Sequence, residues 1–472
     1  MTRRIQAGLL GLLLAIASGR IVPAQTEAPP ARPLTVGEAI DYALSHYAAV
    51  RAALEQVESA RNGVALARTS YLPQLNPLYQ ANRATQNQVN GIFLPGAIIP
   101  TVIGPVQPNS GTSFWNTQAG ALLSWEPVDF GLRRATVDQA RSAEHKSTAQ
   151  VELTRLQVAS ATGGYFLNVA AARQAVAAAQ ANVTRWQVFD QTVQVLVQQE
   201  LRPGADGSRA DAELARARTQ LYQAQAVEQQ AQAILASLLG AAGTQIEVEP
   251  SALLTAPPAD VVPAAPPSNH PLARHEQAGV DELRAREKVL NHSDYPRLYL
   301  ESEASARGSG VNPDGQFAGG MKGLGFSRAN WVAGISVVFP NLFDFPALRD
   351  QKRMAQAQER SQEARYQQTL QDLTGQIAAA QAVYDSAVLI ARNTPVELAA
   401  ARQTETQSRA RYQAGLTNVV EVAEAESLLA LAESDDATAR INVWRGLFGV
   451  SVAQGNLEPF LATLRGISGS KP

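Results

Sequence analysis

Apolar residues recur along most of the chain at the spacing of amphipathic helices. Leu416, Val419, Val420 and Ala423, for example, follow the i, i+3, i+4, i+7 pattern of one helical face. Elsewhere, most clearly over residues 115–125, apolar and polar side chains alternate as they do in a two-faced strand. The pattern therefore predicts a chain of long helices with a few short strands between them.

Aromatic residues stand at both ends of two of the alternating apolar faces, Trp115 and Trp125 in one window and Trp331 and Phe339 in another. An apolar face backed by a polar face, with aromatic residues at both interfaces, is typical of strands between lipid and water. A sheet half-buried on a soluble core would show the same alternation, so one strand alone leaves both interpretations open. The windows that predict strands are residues 74–83, 115–126, 297–307 and 331–339.

These predicted strands are too few to close a membrane barrel within one chain. Because open sheet edges are not tolerated in lipid, strands that span a membrane would require the chain to oligomerise. Three copies would supply about twelve strands, enough to enclose a lumen. Two copies would supply about eight strands, and side chains would fill the interior of so small a barrel.

Two long helical patterns cover residues 132–201 and 347–413. At 1.5 Å per residue, each predicts a rod of roughly 100 Å, far longer than a globular domain needs. Gly163 and Gly164, which cost about 1 kcal/mol each inside a helix, predict a bend in the first rod. Both rods keep a seven-residue repeat of apolar positions, which predicts coiled-coil packing. The repeat positions are Val169, Val176, Val183, Val197, Ala172, Ala179, Trp186 and Val193 in the first rod, and Leu370, Ile377, Tyr384, Ala391, Leu398, Leu373, Ala380, Ala387 and Ala401 in the second.

The end of the second rod carries the most informative stretch of the sequence. Gly415 suits the position just after a helix end, where φ is often positive, and Thr417 or Asn418 can cap the next helix. A second copy of this helix–turn–helix lies at residues 202–217, around Gly204. The chain is therefore predicted to be a tandem duplication. The shorter helices are predicted over residues 35–70, 208–239, 271–291 and 418–455.

The first residues have the features of a secretory signal. Arg3 and Arg4 precede an apolar run that ends near Val22-Pro23-Ala24, and the run is too short to span a membrane as a helix. The chain contains no cysteine, which excludes disulfides and the thiol of a lipid anchor. The predicted organisation is a signal peptide at 1–24, a first repeat at 25–249, a Pro-rich linker at 250–270, a second repeat at 271–456 and a C-terminal tail at 457–472.

Charge and motifs argue against several classes of function. The net charge is −2 and no basic stripe stands out, which argues against a nucleic-acid partner. The five histidines lack metal-ligand spacing, and no phosphate loop, catalytic triad or zinc signature appears. The sequence therefore predicts neither an enzyme nor a bound metal or cofactor.

The run Arg411-Tyr412-x-x-Gly415-Leu416, followed by Glu421, closely resembles the second tip of TolC-like outer-membrane efflux proteins. The resemblance extends over essentially the whole mature chain. It implies an α+β membrane protein, built as a tandem-repeat protomer with four transmembrane strands and long antiparallel coiled-coil helices. The implied homotrimer forms a twelve-stranded β-barrel in the lipid of the outer membrane of a Gram-negative-type bacterium, continued by an α-helical barrel in the periplasm.

The resemblance also implies a function, that of an exit duct for efflux of small molecules or for secretion, working with a periplasmic adaptor protein and an inner-membrane pump. The positions of Glu421 and Glu424 match acidic residues that ring the closed periplasmic aperture in this family, and Asp211 is the candidate acid of the first tip. Such rings attract cations, so polyvalent cations are expected to block the channel from the periplasmic side.

The tip turns are the candidate contacts with the adaptor, and their residues are Gly204, Gly415, Leu416 and Tyr412. The hydroxyl of Tyr412 is a candidate to hold the closed state through a hydrogen bond, with a plain packing role as the alternative. In the first tip, Arg202-Pro203 replaces the family's usual aromatic-containing helix end. A soluble periplasmic coiled-coil scaffold or adaptor is the competing class, which would explain the heptads but not the two-faced strands.

Overall fold

The computed structural model describes residues 32–85, 111–254, 265–310, 316, 320–339 and 344–468. The predicted signal peptide, most of the loop between the first two strands, part of the loop between the last two strands and the middle of the Pro-rich linker lie outside these residues. Two compact units divide the chain, and each combines segments from both predicted repeats. The first contains Met1–Ala52, Leu153–His270 and Leu373–Pro472, and the second contains Ala53–Glu152 and Pro271–Asp372.

Helix lengths recur in pairs, which supports the predicted duplication. The two long helices have 67 and 69 residues, and each is followed by a return helix of 35 residues. In the described residues, the α-helices are α1 Val36–His46, α2 Ala48–Thr69, α3 Leu132–Gln198, α4 Gly204–Leu238, α5 Pro271–His292, α6 Phe345–Gln413, α7 Val419–Ala453 and α8 Glu458–Ser468. No helix among these residues combines the length and the apolar composition needed to cross a membrane.

The predicted helix over residues 35–70 is wrong in one respect, because the structure interrupts it at Tyr47. There the backbone turns extended, with ψ of 128°, and the ring packs at the edge of an apolar core. The start of α1 has a capping box: the Glu38 N–H donates to Thr35 Oγ1 at 3.4 Å, and the Thr35 N–H donates to Glu38 Oε2 at 2.9 Å. This backbone hydrogen bond is the main reason that the pKa of Glu38 lies below its usual value.

Four strands form one antiparallel sheet in the order β1-β2-β3-β4. The register aligns the predicted faces: Trp125 is the partner of Leu300, which is the partner of Ile335. All four apolar faces therefore lie on one side of the sheet, as a membrane strand requires. Trp331 lies inside its strand rather than at the predicted end, because that strand begins three residues earlier. The bounds are β1 Gln74–Thr85, β2 Ser113–Val128, β3 Arg297–Ser309 and β4 Arg328–Val338.

The first of the two units is packed around aromatic residues from α3, α7 and α8. Trp444 and Phe448 each contact Phe460 with their rings edge to face, and Phe166 is fully buried beside them. Gly163 brings the α3 backbone against this core, since a Cβ built there would lie 2.5 Å from Phe448 Cζ. The glycine is thus explained by a close approach, and α3 runs through it without an interruption.

Alanine substitutions at the two adjacent glycines of α3 should have opposite effects. Nothing lies within 4 Å of a Cβ at Gly164, so Gly164→Ala should raise the free energy of unfolding by about 1 kcal/mol through helix propensity. Gly163→Ala should lower the free energy of unfolding by about 1–2 kcal/mol, because the cost of overpacking against Phe448 exceeds the gain in helix propensity. Denaturant unfolding in detergent, followed by far-UV circular dichroism, measures both, and equal shifts would contradict the packing at Phe448.

Candidate functional site

The second tip is a helix–turn–helix closed by backbone hydrogen bonds. The Gly415 N–H donates to Tyr412 O at 3.0 Å and the Leu416 N–H donates to Arg411 O at 2.8 Å, the two bonds of a Schellman motif. Gly415 has the expected positive φ, at 79°. Asn418, rather than Thr417, caps α7, accepting from the N–H groups of its second and third residues, both at 3.1 Å.

The first tip has the same turn, but its glycine does not make it. The Glu200 N–H donates to Val197 O at 3.0 Å and the Leu201 N–H donates to Leu196 O at 2.9 Å, and Glu200 itself has φ of 59°. The prediction that Gly204 makes this turn is wrong. Pro203 fixes an extended backbone and serves as the N-cap, so α4 begins directly at Gly204 instead of near residue 208.

This turn changes which acids correspond between the tips. Counted from the N-caps Pro203 and Asn418, the third helical residues are Asp206 and Glu421. Asp206, and not the predicted Asp211, is therefore the equivalent of Glu421. The mistake arose from aligning the two glycines, whereas the turns themselves define the register.

Tyr412 joins the two tips. Its fully buried ring lies under the guanidinium of Arg202, 4.2 Å from ring centroid to Cζ, and its hydroxyl donates to Asp206 Oδ2 at 3.2 Å. Arg202 also donates to the backbone oxygens of Tyr412 and Thr417. Burial, together with the charge of Asp206, raises the pKa of Tyr412 to about 12, so the phenol stays protonated at neutral pH. We call this contact the tip clamp.

The candidate acids differ in how they are held. Glu421 Oε1 lies 3.2 Å from Arg411 Nη1, and its other oxygen accepts from the Thr417 hydroxyl. Glu424 and Asp211 are exposed, and within the described residues neither makes an ion pair. Glu424 is thus the acid of the second tip whose charge is free to act on solvent ions.

A buried ion cluster lies two helical turns beyond the tip and was not predicted. Glu426 is completely buried, and its carboxylate accepts from Arg185 Nε at 3.1 Å and from Arg409. Arg185 also pairs with Glu433 at 2.9 Å, and Arg409 pairs with Glu405 at 2.7 Å. The cluster therefore ties α3, α6 and α7 together through charges. Burial is the largest influence on Glu426 and raises its pKa, against the opposing effect of Arg409.

The predicted aromatic residues at the sheet ends take different environments. Trp331 and Phe339 are largely exposed, and Trp125 is exposed over 40% of its surface, whereas Trp115 is partly buried. The indole N–H of Trp125 donates to Tyr71 O at 3.1 Å, at the end of the sheet where the helices begin. An aromatic ring with a polar edge turned to the chain suits a membrane interface.

A four-stranded antiparallel sheet with one apolar side, joined to paired long helices with capped tips, defines the protomer of a channel that combines a membrane barrel with a helical tunnel. The chain is similar in fold to CusC (TM-score 0.72, 17% identity, covering 89% of this chain and 92% of that one). It is similar to VceC from Vibrio cholerae (0.71, 16%, 89% and 96%) and to CmeC from Campylobacter jejuni (0.70, 16%, 92% and 89%).

The model of the outer membrane efflux protein family matches residues 39–241 and 267–445, and the chain belongs to this family. No curated protein sequence matches it significantly. The chain is an outer-membrane efflux duct whose helical part lies in the periplasm, as the resemblance implied. Its fold class is that of trimeric channels with a β-barrel and a helical barrel, and the family is one of channels and not of enzymes.

Proposed function

We propose that this duct opens and closes at its tips, and that carboxylates at the tip aperture attract cations there. The observation that carries the proposal is the carboxylate of Glu424, which lies six residues after the N-cap Asn418, is exposed, and makes no ion pair within the described residues. In a homotrimer, three copies of Glu424, together with those of Glu421, would face a shared axis and concentrate positive charge. Asp206 and Asp211 would add to this field from the first tip.

Exposed apolar side chains at the tips support the proposed partners. The residues just after the two turns, Leu201 and Leu416, are 64% and 70% exposed. Exposed apolar side chains at matching positions of both tips are suited to docking a periplasmic adaptor, which links the duct to an inner-membrane pump. Trp125 and Phe339 then mark one membrane interface, and Trp115 and Trp331 lie toward the other.

Block by a polyvalent cation tests the aperture. Hexaamminecobalt(III), added on the helical side of channels in a planar bilayer, should reduce conductance, and Glu424→Gln should weaken this block several-fold. Glu421→Gln should weaken it less, because Arg411 and Thr417 already engage that carboxylate.

Asp435→Asn is the matched control. Asp435 is exposed on the same face of α7, eleven residues and about 16 Å farther from the tip. Its removal should leave the block unchanged. Equal effects of Asp435→Asn and Glu424→Gln would show that the tip acids do not line the aperture. An unaltered block in the Glu421→Gln/Glu424→Gln double variant would show the same.

A further inference from the structure

The polar side of the sheet carries two like charges directly opposite each other. Arg307, near the end of β3, is the partner of Arg328, the first residue of β4. The row continues through Gln118 on β2 to Gln80 on β1. Because the other side of the sheet is apolar and faces lipid, this row faces the lumen of the barrel.

Nothing in the described part of the chain offsets the repulsion between these two arginines. Like charges directly opposite in a sheet are destabilising. Both side chains are exposed, and among the described residues neither forms an ion pair or a side-chain hydrogen bond. Two unpaired guanidinium groups, held side by side on a polar surface, provide two sets of donors for a single anion.

The sequence around the row adds no negative charge at the corresponding strand ends of the first repeat. No Asp, Glu, Lys or Arg lies between Arg83 and Glu126, and between Arg307 and Arg328 there is one acid and one base. The arginines therefore dominate the charge at this end of the sheet. The carboxylates of β3, Glu303 and Glu301, are four and six residues from Arg307, which places them roughly 13 Å or more from it along the strand.

The connections identify the end that carries the row. Helices α2 and α3 join β1 and β2 at the end of the sheet away from the arginines. Since the helical part of the duct lies in the periplasm, Arg307 and Arg328 lie at the extracellular end. In the trimer, the row supplies about six guanidinium groups to one ring around the lumen.

We propose that Arg307 and Arg328 form an anion-binding site at the outer end of the lumen, which takes multiply charged oxyanions such as the phosphate or carboxylate groups of passing cargo. The site rests on the trimeric duct proposed above. The site makes the outer end attract anions, whereas the acidic tips attract cations. An anionic solute is therefore drawn toward the exit.

Block by inorganic tripolyphosphate tests this site. When the protein is added to one chamber of a planar bilayer, its long polar helices stay on that side, so the outer end opens to the opposite chamber. Tripolyphosphate should block from the opposite chamber, and Arg307→Gln/Arg328→Gln should weaken the block about tenfold or more. Arg307→Lys/Arg328→Lys, which keeps the charges without the planar fork, should give an intermediate block.

Arg83→Gln is the matched control. Arg83 lies at the same end of the sheet but on the apolar side, as the partner of Trp115, and it donates to Ser113 Oγ at 3.0 Å. Its loss should not alter the block.

Equal block from both chambers, or full block in the glutamine double variant, would overturn the anion site while leaving the channel proposal intact. A wild-type channel that conducts without any block by tripolyphosphate would do the same. If the glutamine variant does not assemble, unweakened block in the lysine variant would overturn the bidentate site. A wild-type protein that forms no channel would overturn both proposals.

Discussion

Replacing Glu426 with alanine is expected to lower the free energy of unfolding by about 3 kcal/mol or more. The carboxylate is completely buried between Arg185 and Arg409, and its removal leaves two partly buried cations facing each other without their shared anion. Breaking a buried ion pair by removing one partner typically costs about 3–5 kcal/mol. The lower end applies because both guanidinium groups keep some contact with water.

Glu424→Ala provides the comparison within the same helix. Glu424 is exposed and unpaired among the described residues, so its loss should change stability by less than about 0.5 kcal/mol. Denaturant unfolding of the detergent-solubilised protein measures both variants. If Glu426→Ala is no more destabilising than Glu424→Ala, the cluster contributes nothing to holding α3, α6 and α7 together.

The cluster also predicts a dependence on pH. Burial raises the pKa of Glu426 above its usual 4.5, so the folded state binds the proton more tightly than the unfolded chain does. The resulting stability is fully present below about pH 4.5 and is lost as the pH rises through the folded-state pKa. Glu426→Gln removes this titration, so the stability of wild type relative to this variant should fall over that range.

Replacing Arg202 with glutamine is expected to increase the open probability of the channel about tenfold or more. Arg202 covers the Tyr412 ring and donates to two backbone oxygens of the other hairpin. Charge-assisted hydrogen bonds contribute about 1.5–3 kcal/mol and a cation–π contact about 0.5–2 kcal/mol. A contact made only while the tips are joined shifts the opening equilibrium by its own free energy.

Single-channel recording measures this effect. Tyr412→Phe, which removes only the hydroxyl bonded to Asp206, should give a smaller increase, equivalent to about 1 kcal/mol. Arg218→Gln is the control, because Arg218 lies on α4, the helix that follows Arg202, and is exposed and unpaired within the described residues. An open probability in Arg202→Gln that matches wild type would show that the tip clamp does not hold the closed state.

The sequence predicts those parts of this fold that depend on periodicity. The heptads of the two long helices place Val183, Trp186 and Leu373 in buried positions, as expected, because packing repeats once every two turns. The strand faces were predicted because apolar and polar side chains alternate along each strand. The register brings the four apolar faces to one side of the sheet. Gly415 was predicted because the left-handed turn there favours glycine.

The rest of the site depends on contacts that local sequence does not encode. The first turn is made by Glu200, which has no preference for positive φ. The prediction used the glycine four residues later instead, and it therefore misplaced both the tip and its acid. Arg185 and Arg409 are far apart along the chain from each other, and only the packing of three helices brings both to Glu426. The one available signal was the glutamate itself, since it occupies an apolar heptad-like face of α7.

The two tip turns share the same hydrogen-bond pattern, but their backbones differ in conformational freedom. Glu200 is confined to a narrow left-handed well because its Cβ excludes most other conformations at positive φ. Gly415 can leave the same conformation for many others at little steric cost. If the aperture opens at the tips as proposed, the second hairpin has the more compliant hinge and the first hairpin has the stiffer one, so the opening movement is expected mainly in the second hairpin.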